Sequence, residues 1–97
     1  MRFIVSGSSM KPDYMPGDKL WVSRFIYMLS KPKIGDVVVL SDPRDQRLIL
    51  KRIVEIMRDG YFMKGDNERA STDSRVFGPV KKEDMIGKVL FRYKKGS

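Results

Sequence analysis

The run Leu48-Ile49-Leu50-Lys51-Arg52-Ile53-Val54-Glu55-Ile56-Met57, followed by Arg58-Asp59-Gly60 and then Tyr61-Phe62-Met63-Lys64, decides the fold class. Residues 48–57 form the longest strand candidate in the chain. Asp59-Gly60 is a hairpin signal, so 48–57 and 61–64 are predicted to pair antiparallel. Working outward, Arg2 to Ser6, Leu20 to Arg24, Val37 to Leu40 and Gly87 to Tyr93 also read as strands. Clusters such as Met15-Pro16-Gly17-Asp18 and Asp42-Pro43-Arg44-Asp45 punctuate them. On the last strand, alternation places Val89, Phe91 and Tyr93 on one face and Lys88, Arg92 and Lys94 on the other. Helical spacing is weak throughout, with one turn at most over Lys82 to Met85. About six short strands at this spacing predict an all-β protein, a small folded antiparallel sheet or barrel.

The rest of the composition narrows the chemistry. With 97 residues the chain has room for one domain and one modest core. It has no Cys and no His, which excludes disulfides, thiolate metal sites, a cysteine nucleophile and a Ser-His-Asp triad. Neither a cofactor nor a metal is expected. Asp66, Glu68 and Asp73 lack the regular spacing of a calcium loop, and Arg69 and Arg75 offset their charge. The balance of 20 Lys and Arg against 12 Asp and Glu gives a net charge of +8, most simply a solvated basic face. No apolar run reaches the roughly 18–20 residues of a membrane span, and no signal peptide opens the chain. As written, the chain reads as cytoplasmic or peripheral. The run Phe25-Ile26-Tyr27-Met28-Leu29 is expected to pack over one end of the barrel; the alternative is an exposed patch for lipid or a partner chain.

Without His or Cys, the economical nucleophile is a Ser hydroxyl activated by a neutral Lys amine. A lysine pKa of about 10.4 must fall by several units for that, which requires burial. Lys51 is the candidate, because strand alternation puts Ile49 and Ile53 on its own face. Taken alone, a Lys in an apolar strand is more often an edge gatekeeper or a snorkelling side chain. Ser6, Ser8 and Ser9 cluster around Gly7, where a sharp turn could aim backbone amides at a developing oxyanion. The polar loop from Gly65 to Arg75 is the third element, and on composition alone it reads as a surface turn.

Three segments carry a resemblance. Ser8-Ser9-Met10-Lys11-Pro12 with Gly17-Asp18 looks like a Ser-Met-x-Pro and Gly-Asp box. Leu50-Lys51-Arg52-Ile53 looks like a Lys-Arg box in a hydrophobic strand. Gly65-Asp66-Asn67, Ser71, Asp73-Ser74-Arg75 and Phe77-Gly78 look like a Gly-Asp-Asn…Ser-x-Asp-Ser-Arg-x-x-Gly box, and Pro32 to Val38 fits the Pro-x-x-Gly-Asp-Val-Val strand between them. In this order they resemble the type I signal peptidases, the Ser/Lys-dyad serine endopeptidases. The resemblance implies an all-β catalytic core of signal-peptidase type, one domain over 1–97 with boxes at 6–18, 48–57 and 65–78. It implies Ser9 as nucleophile, Lys51 as general base and Ser71 orienting the Lys51 amine. Asp73 and Arg75 would form a structural salt bridge. The Ser9 amide would donate to the oxyanion, with Gly7 standing where many members carry a second, hydroxyl donor.

The same resemblance implies cleavage after small residues in an Ala-x-Ala-like pattern. The substrate would bind as an extended strand, with Val5, Met10, Ile49 and Leu50 nearest the pocket. Departures are Asp13-Tyr14 in place of Thr-Leu, and only 13 residues between Lys51 and Gly65, where larger members insert a second β domain. The family is normally membrane-bound, so this chain is expected to be a core whose anchor was removed, or a peripheral or soluble relative. Other readings are a self-cleaving protease of the repressor-cleavage type, which lacks the third box, and a scaffold that binds peptide without cutting it. A further one is a basic β-barrel that stacks single-stranded nucleic acid on Trp21, Tyr61, Phe62, Phe91 and Tyr93. These aromatics are expected in the core instead, and no specific nucleic-acid partner is expected.

Overall fold

The structure is a computed structural model and describes residues 1–42, 44–67 and 78–96. Its strands are β1 (Arg2–Ile4), β2 (Lys19–Ser23), β3 (Val37–Ser41), β4 (Leu48–Met57), β5 (Gly60–Lys64) and β6 (Met85–Lys94). One α-helical turn, α1 (Ile26–Leu29), follows β2, and a 3-10 turn at Lys82–Asp84 leads into β6. The six strands form one antiparallel sheet in the order β1-β2-β6-β3-β4-β5, with β1 and β5 at its edges. The all-β class predicted from the sequence is the one observed, in the form of a folded sheet.

The β4–β5 hairpin turns one residue earlier than Asp59-Gly60 suggests. Met57 pairs with Gly60, so Arg58 and Asp59 form the tip. The last strand corrects the predicted alternation. Trp21 pairs with Phe91 and Val22 with Val89, so Leu90 is an extra residue, a β-bulge. A bulge exchanges the two faces of the residues that follow it, up to the next irregularity. Val89 is therefore buried beside Val22, whereas Phe91 stands exposed with Trp21, and Tyr93 is exposed at a second register shift, between Lys19 and Leu20. Trp21 itself faces outward between the buried Leu20 and Val22, so the expectation that these three aromatics lie in the core is wrong.

Strand β3 explains how a thin sheet buries two cores. Its run Val37-Val38-Val39-Leu40 is buried on both faces, as an unbroken apolar run allows. Val37 and Val39 join Val5, Met10, Leu20, Val22, Leu50 and Val89 on one side. Val38 and Leu40 join Tyr27, Ile53, Met63 and Val80 on the other. Helix α1 covers the second cluster only through Ile26 and Tyr27. Phe25, Met28 and Leu29 remain exposed, so the expected packing of the whole apolar run over the sheet does not occur.

Candidate active site

The loop from Ser6 to Asp18 leaves β1 and returns to β2, and its two ends are tied together. The Val5 amide donates to the Asp18 carbonyl at 2.9 Å, and the Gly17 amide donates to the Val5 carbonyl at 2.8 Å. The Asp18 carboxylate is buried inside the loop's base. It accepts from the Met15 amide at 2.9 Å, the Gly96 amide at 2.7 Å and the Arg92 guanidinium at 3.1 Å. The Gly96 and Met15 amides, with help from Arg92, hold its pKa below the usual aspartate value against the opposing cost of burial. Gly7 takes a left-handed φ of +75°, which lets the chain reverse just before Ser9.

Asn67, at the end of the Gly-Asp-Asn stretch, fixes the middle of that loop. Its amide donates to the Ser9 carbonyl at 2.8 Å and its Nδ2 donates to the Ser8 carbonyl at 3.0 Å. Asp66 beside it accepts from Arg52 through both Nε and Nη2, each at 2.9 Å. Arg52 also reaches Asp13 at 2.9 Å and the Gly35 carbonyl at 3.0 Å. Burial alone would raise the Asp66 pKa, but the Arg52 hydrogen bonds and charge more than offset it and hold it low. One guanidinium thus joins the loop after Ser9, the strand of Lys51 and the segment of Asn67.

Lys51 pairs with Val38 across β3–β4 and is 3% exposed. It lines a partly enclosed cavity of about 170 Å³ together with Ser9. Val5, Met10, Ile49 and Leu50 line the same cavity, as do Phe3, Ser6 and Leu48. Asp42, buried at the end of β3, is held in its charged form chiefly by hydrogen bonds from Arg44, and the Lys51 ammonium acts in the same direction. The fold therefore gathers Val5, Ser9, Met10, Ile49, Leu50 and Lys51 from two distant segments. Gly7 lies in the loop but does not line the cavity. Ser71, Asp73 and Arg75 lie outside the described residues. The sequence reading gave no role to Asn67 or Arg52, although both sit inside the motifs that carry the resemblance, and none to Asp13, which is one of the departures from them. Among the described residues no cluster of acidic side chains is arranged to hold a metal ion.

A β-sheet core that brings together the first two boxes and the Gly65-Asp66-Asn67 start of the third is that of a peptidase of the signal-peptidase class. The family model for signal peptidase, peptidase S26, matches residues 1–57 and 54–94, and the chain belongs to that family. It is similar to the mitochondrial ATP-independent inner membrane protease subunit 1a of Arabidopsis thaliana, 33% identical over 94% of this chain and 71% of the relative. It is 35% identical to signal peptidase I P of Bacillus subtilis subsp. natto over 67% of this chain, and 30% identical to signal peptidase I of Bacillus caldolyticus over 93% of it. The chain spans only 35% and 58% of the length of these two bacterial relatives. Among the described residues no helix is long and apolar enough to cross a membrane.

Proposed function

We propose that the chain is a serine endopeptidase in which Ser9 is the nucleophile and Lys51 the general base. The observation that carries this reading is the shared cavity, lined by Ser9 and by a lysine that is 3% exposed. Burial penalises the ammonium form of Lys51 and favours the neutral amine that a base requires, against the opposing pull of the Asp42 carboxylate. Ser9 Oγ attacks the scissile carbonyl carbon as its proton passes to Lys51 Nζ, and the carbonyl oxygen becomes an oxyanion. The Ser9 amide donates to that oxyanion. The tetrahedral intermediate collapses to an acyl-enzyme, and the leaving amine takes the proton from Lys51. Water then attacks the acyl carbon with Lys51 again as base, releasing the carboxylate product and restoring Ser9. Ser71 would orient the Lys51 amine, and Asp73 with Arg75 would brace the third box. These three roles are taken from the motif.

The substrate is a polypeptide in extended form, lying along the strand that leads into Ser9. Val5, Met10, Ile49 and Leu50 line the cavity beside the reacting groups, and its volume of about 170 Å³ favours a small side chain before the cut. The test is cleavage of a fluorogenic Ala-x-Ala peptide, with products identified by mass spectrometry. Ser9→Ala and Lys51→Ala should each lower kcat/KM by roughly 10³-fold or more, with far-ultraviolet circular dichroism unchanged. Lys51→Arg should be equally inactive, because a guanidinium does not deprotonate at usable pH. An active Lys51→Arg enzyme would refute the assignment of the base.

A further inference from the structure

Asp13 and Tyr14, where the chain departs from the family's nucleophile box, are gripped by two arginines from different strands. From β4, Arg52 Nη2 donates to the Asp13 carboxylate at 2.9 Å. From β6, Arg92 Nη1 donates to the Asp13 carbonyl at 3.0 Å and to the Asp18 carboxylate at 3.1 Å. The Arg92 guanidinium carbon also lies over the Tyr14 ring, 6.0 Å from its centre. These four residues line an open depression of their own, and none of them lines the cavity of Ser9 and Lys51. Arg92 is aimed by its strand. It faces Leu20 across the β2–β6 ladder, and Gly96 beyond it sits so close to the loop's base that a Cβ there would lie 2.4 Å from the Pro16 carbonyl oxygen. The grip reaches Ser9 through backbone bonds, since the Tyr14 amide donates to the Met10 carbonyl at 2.9 Å and the Lys11 amide to the Ser8 carbonyl at 3.2 Å. Residues 8–14 thus form one hydrogen-bonded turn, sunk into the core at Met10 and held by Arg92 at its far end.

We propose that Arg92 is a positioning residue, which keeps Ser9 within reach of Lys51 by fixing Asp13 and Tyr14 from β6. The inference rests on the reading of Ser9 as the nucleophile. A displacement of about 1 Å, caused by a change far from the chemistry, can cost roughly 100-fold in rate. Asn67 holds the turn at Ser8 and Ser9, and a turn fixed at that end alone is free to pivot. Arg92 removes this freedom, because it bonds the backbone at Asp13. Arg52 does not replace it, since its bond goes to a carboxylate that is 56% exposed, and exposed ion pairs hold little. If Arg92 served only to neutralise the buried Asp18, its loss would lower stability and leave the kinetics of the folded enzyme as they are.

The test is steady-state cleavage of the Ala-x-Ala peptide by Arg92→Met and Arg92→Lys, at a temperature where urea titration shows both folded. Arg92→Met keeps the stem and removes every donor, so kcat should fall about 10- to 100-fold while KM changes less than about twofold. Arg92→Lys offers one ammonium to the two acceptors that Nη1 serves, and kcat should recover to within roughly fivefold of the parent. Arg92→Gln, too short to reach the Asp13 carbonyl, stands in for Arg92→Met if that variant does not fold. Lys94→Met, on the same strand, should leave kcat unchanged. Hydrogen exchange read by mass spectrometry needs no activity. Amides of residues 8–16 should exchange at least about fivefold faster in Arg92→Met, and those of β4 at the parent rate. A parent that does not cut the peptide, or a Ser9→Ala variant that does, refutes the reading of Ser9, and the exchange rates then decide by themselves whether Arg92 fixes the turn. With that reading intact, the inference is overturned if Arg92→Met keeps the parent kcat or its loss falls on KM. It is equally overturned if Arg92→Lys is no better than Arg92→Met, or if exchange in the turn is unchanged.

Discussion

At neutral pH an ordinary lysine, with a pKa of about 10.4, is protonated and cannot accept a serine proton. Lys51 differs in its surroundings, because β4 carries it between Leu50 and Ile53 and leaves it 3% exposed. If it is the base, kcat/KM should rise with pH as its ammonium is lost, with a midpoint well below 10.4. A pH–rate profile checks this, and a rise centred at the ordinary lysine value would remove the argument from burial. Asp18 is the structural counterpart at this scale, a buried carboxylate whose partners are two backbone amides and Arg92. Asp18→Asn puts an NH2 group where those donors need an acceptor, so unfolding free energy should fall by about 2–3 kcal/mol in urea titration. A loss below about 0.5 kcal/mol would mean that the loop's base is held by other contacts.

Between elements, β6 passes very close to β2 at Gly87. A Cβ on Gly87 would lie 2.5 Å from the Ser23 carbonyl oxygen and 2.7 Å from Val22 Cγ1, so backbone would have to move. Gly87→Ala should therefore cost about 1–3 kcal/mol, read from a lowered urea midpoint. Asn67→Ala tests a different junction, removing only the Nδ2 bond to the Ser8 carbonyl. Stability should change by about 1 kcal/mol, whereas a loosened Ser9 should lower kcat roughly tenfold with little change in KM. Most strands were legible in the sequence because β-branched runs and Gly, Pro and Asp punctuation are local signals. The bulge at Leu90 was not, since a one-residue slip is set by how β2 and β6 pair across the sheet. Nor was the outward turn of Phe25, Met28 and Leu29, because a five-residue apolar run does not reveal which side the sheet will cover. Of the site, Lys51 could be located by its strand and the cavity residues by motif. The Asn67 and Arg52 bonds join positions far apart in the chain, and no local pattern encodes them.

Across the whole molecule, β6 is inserted between β2 and β3, so the sheet is completed only when a strand distant in sequence from both neighbours pairs with them. Carboxylates join parts that are distant in sequence. Asp18 ties Gly96 and Arg92 to the loop after Ser9, Asp36 ties Tyr27 and Lys88 to the start of β3, and Asp66 ties Arg52 to the Asn67 segment. All three have pKa values below the ordinary aspartate value. For Asp18 the Gly96 and Met15 amides dominate; for Asp36 and Asp66 burial is outweighed by the donors facing them. A carboxylate whose native pKa is depressed binds protons more readily in the unfolded chain. Its stabilisation is complete above the unfolded value of about 3.9 and is lost as pH falls through the lower native value. Acid also removes negative charge from a chain already at +8, so self-repulsion acts in the same direction. The urea midpoint is therefore expected to be nearly constant between about pH 7 and 5 and to fall steeply below about pH 4. Asp18→Asn should start lower at neutral pH and lose less on acidification, because one of the titrating links is already gone. A midpoint that rose toward acid, or an Asp18→Asn profile parallel to the parent's, would show that these carboxylates do not hold the molecule together.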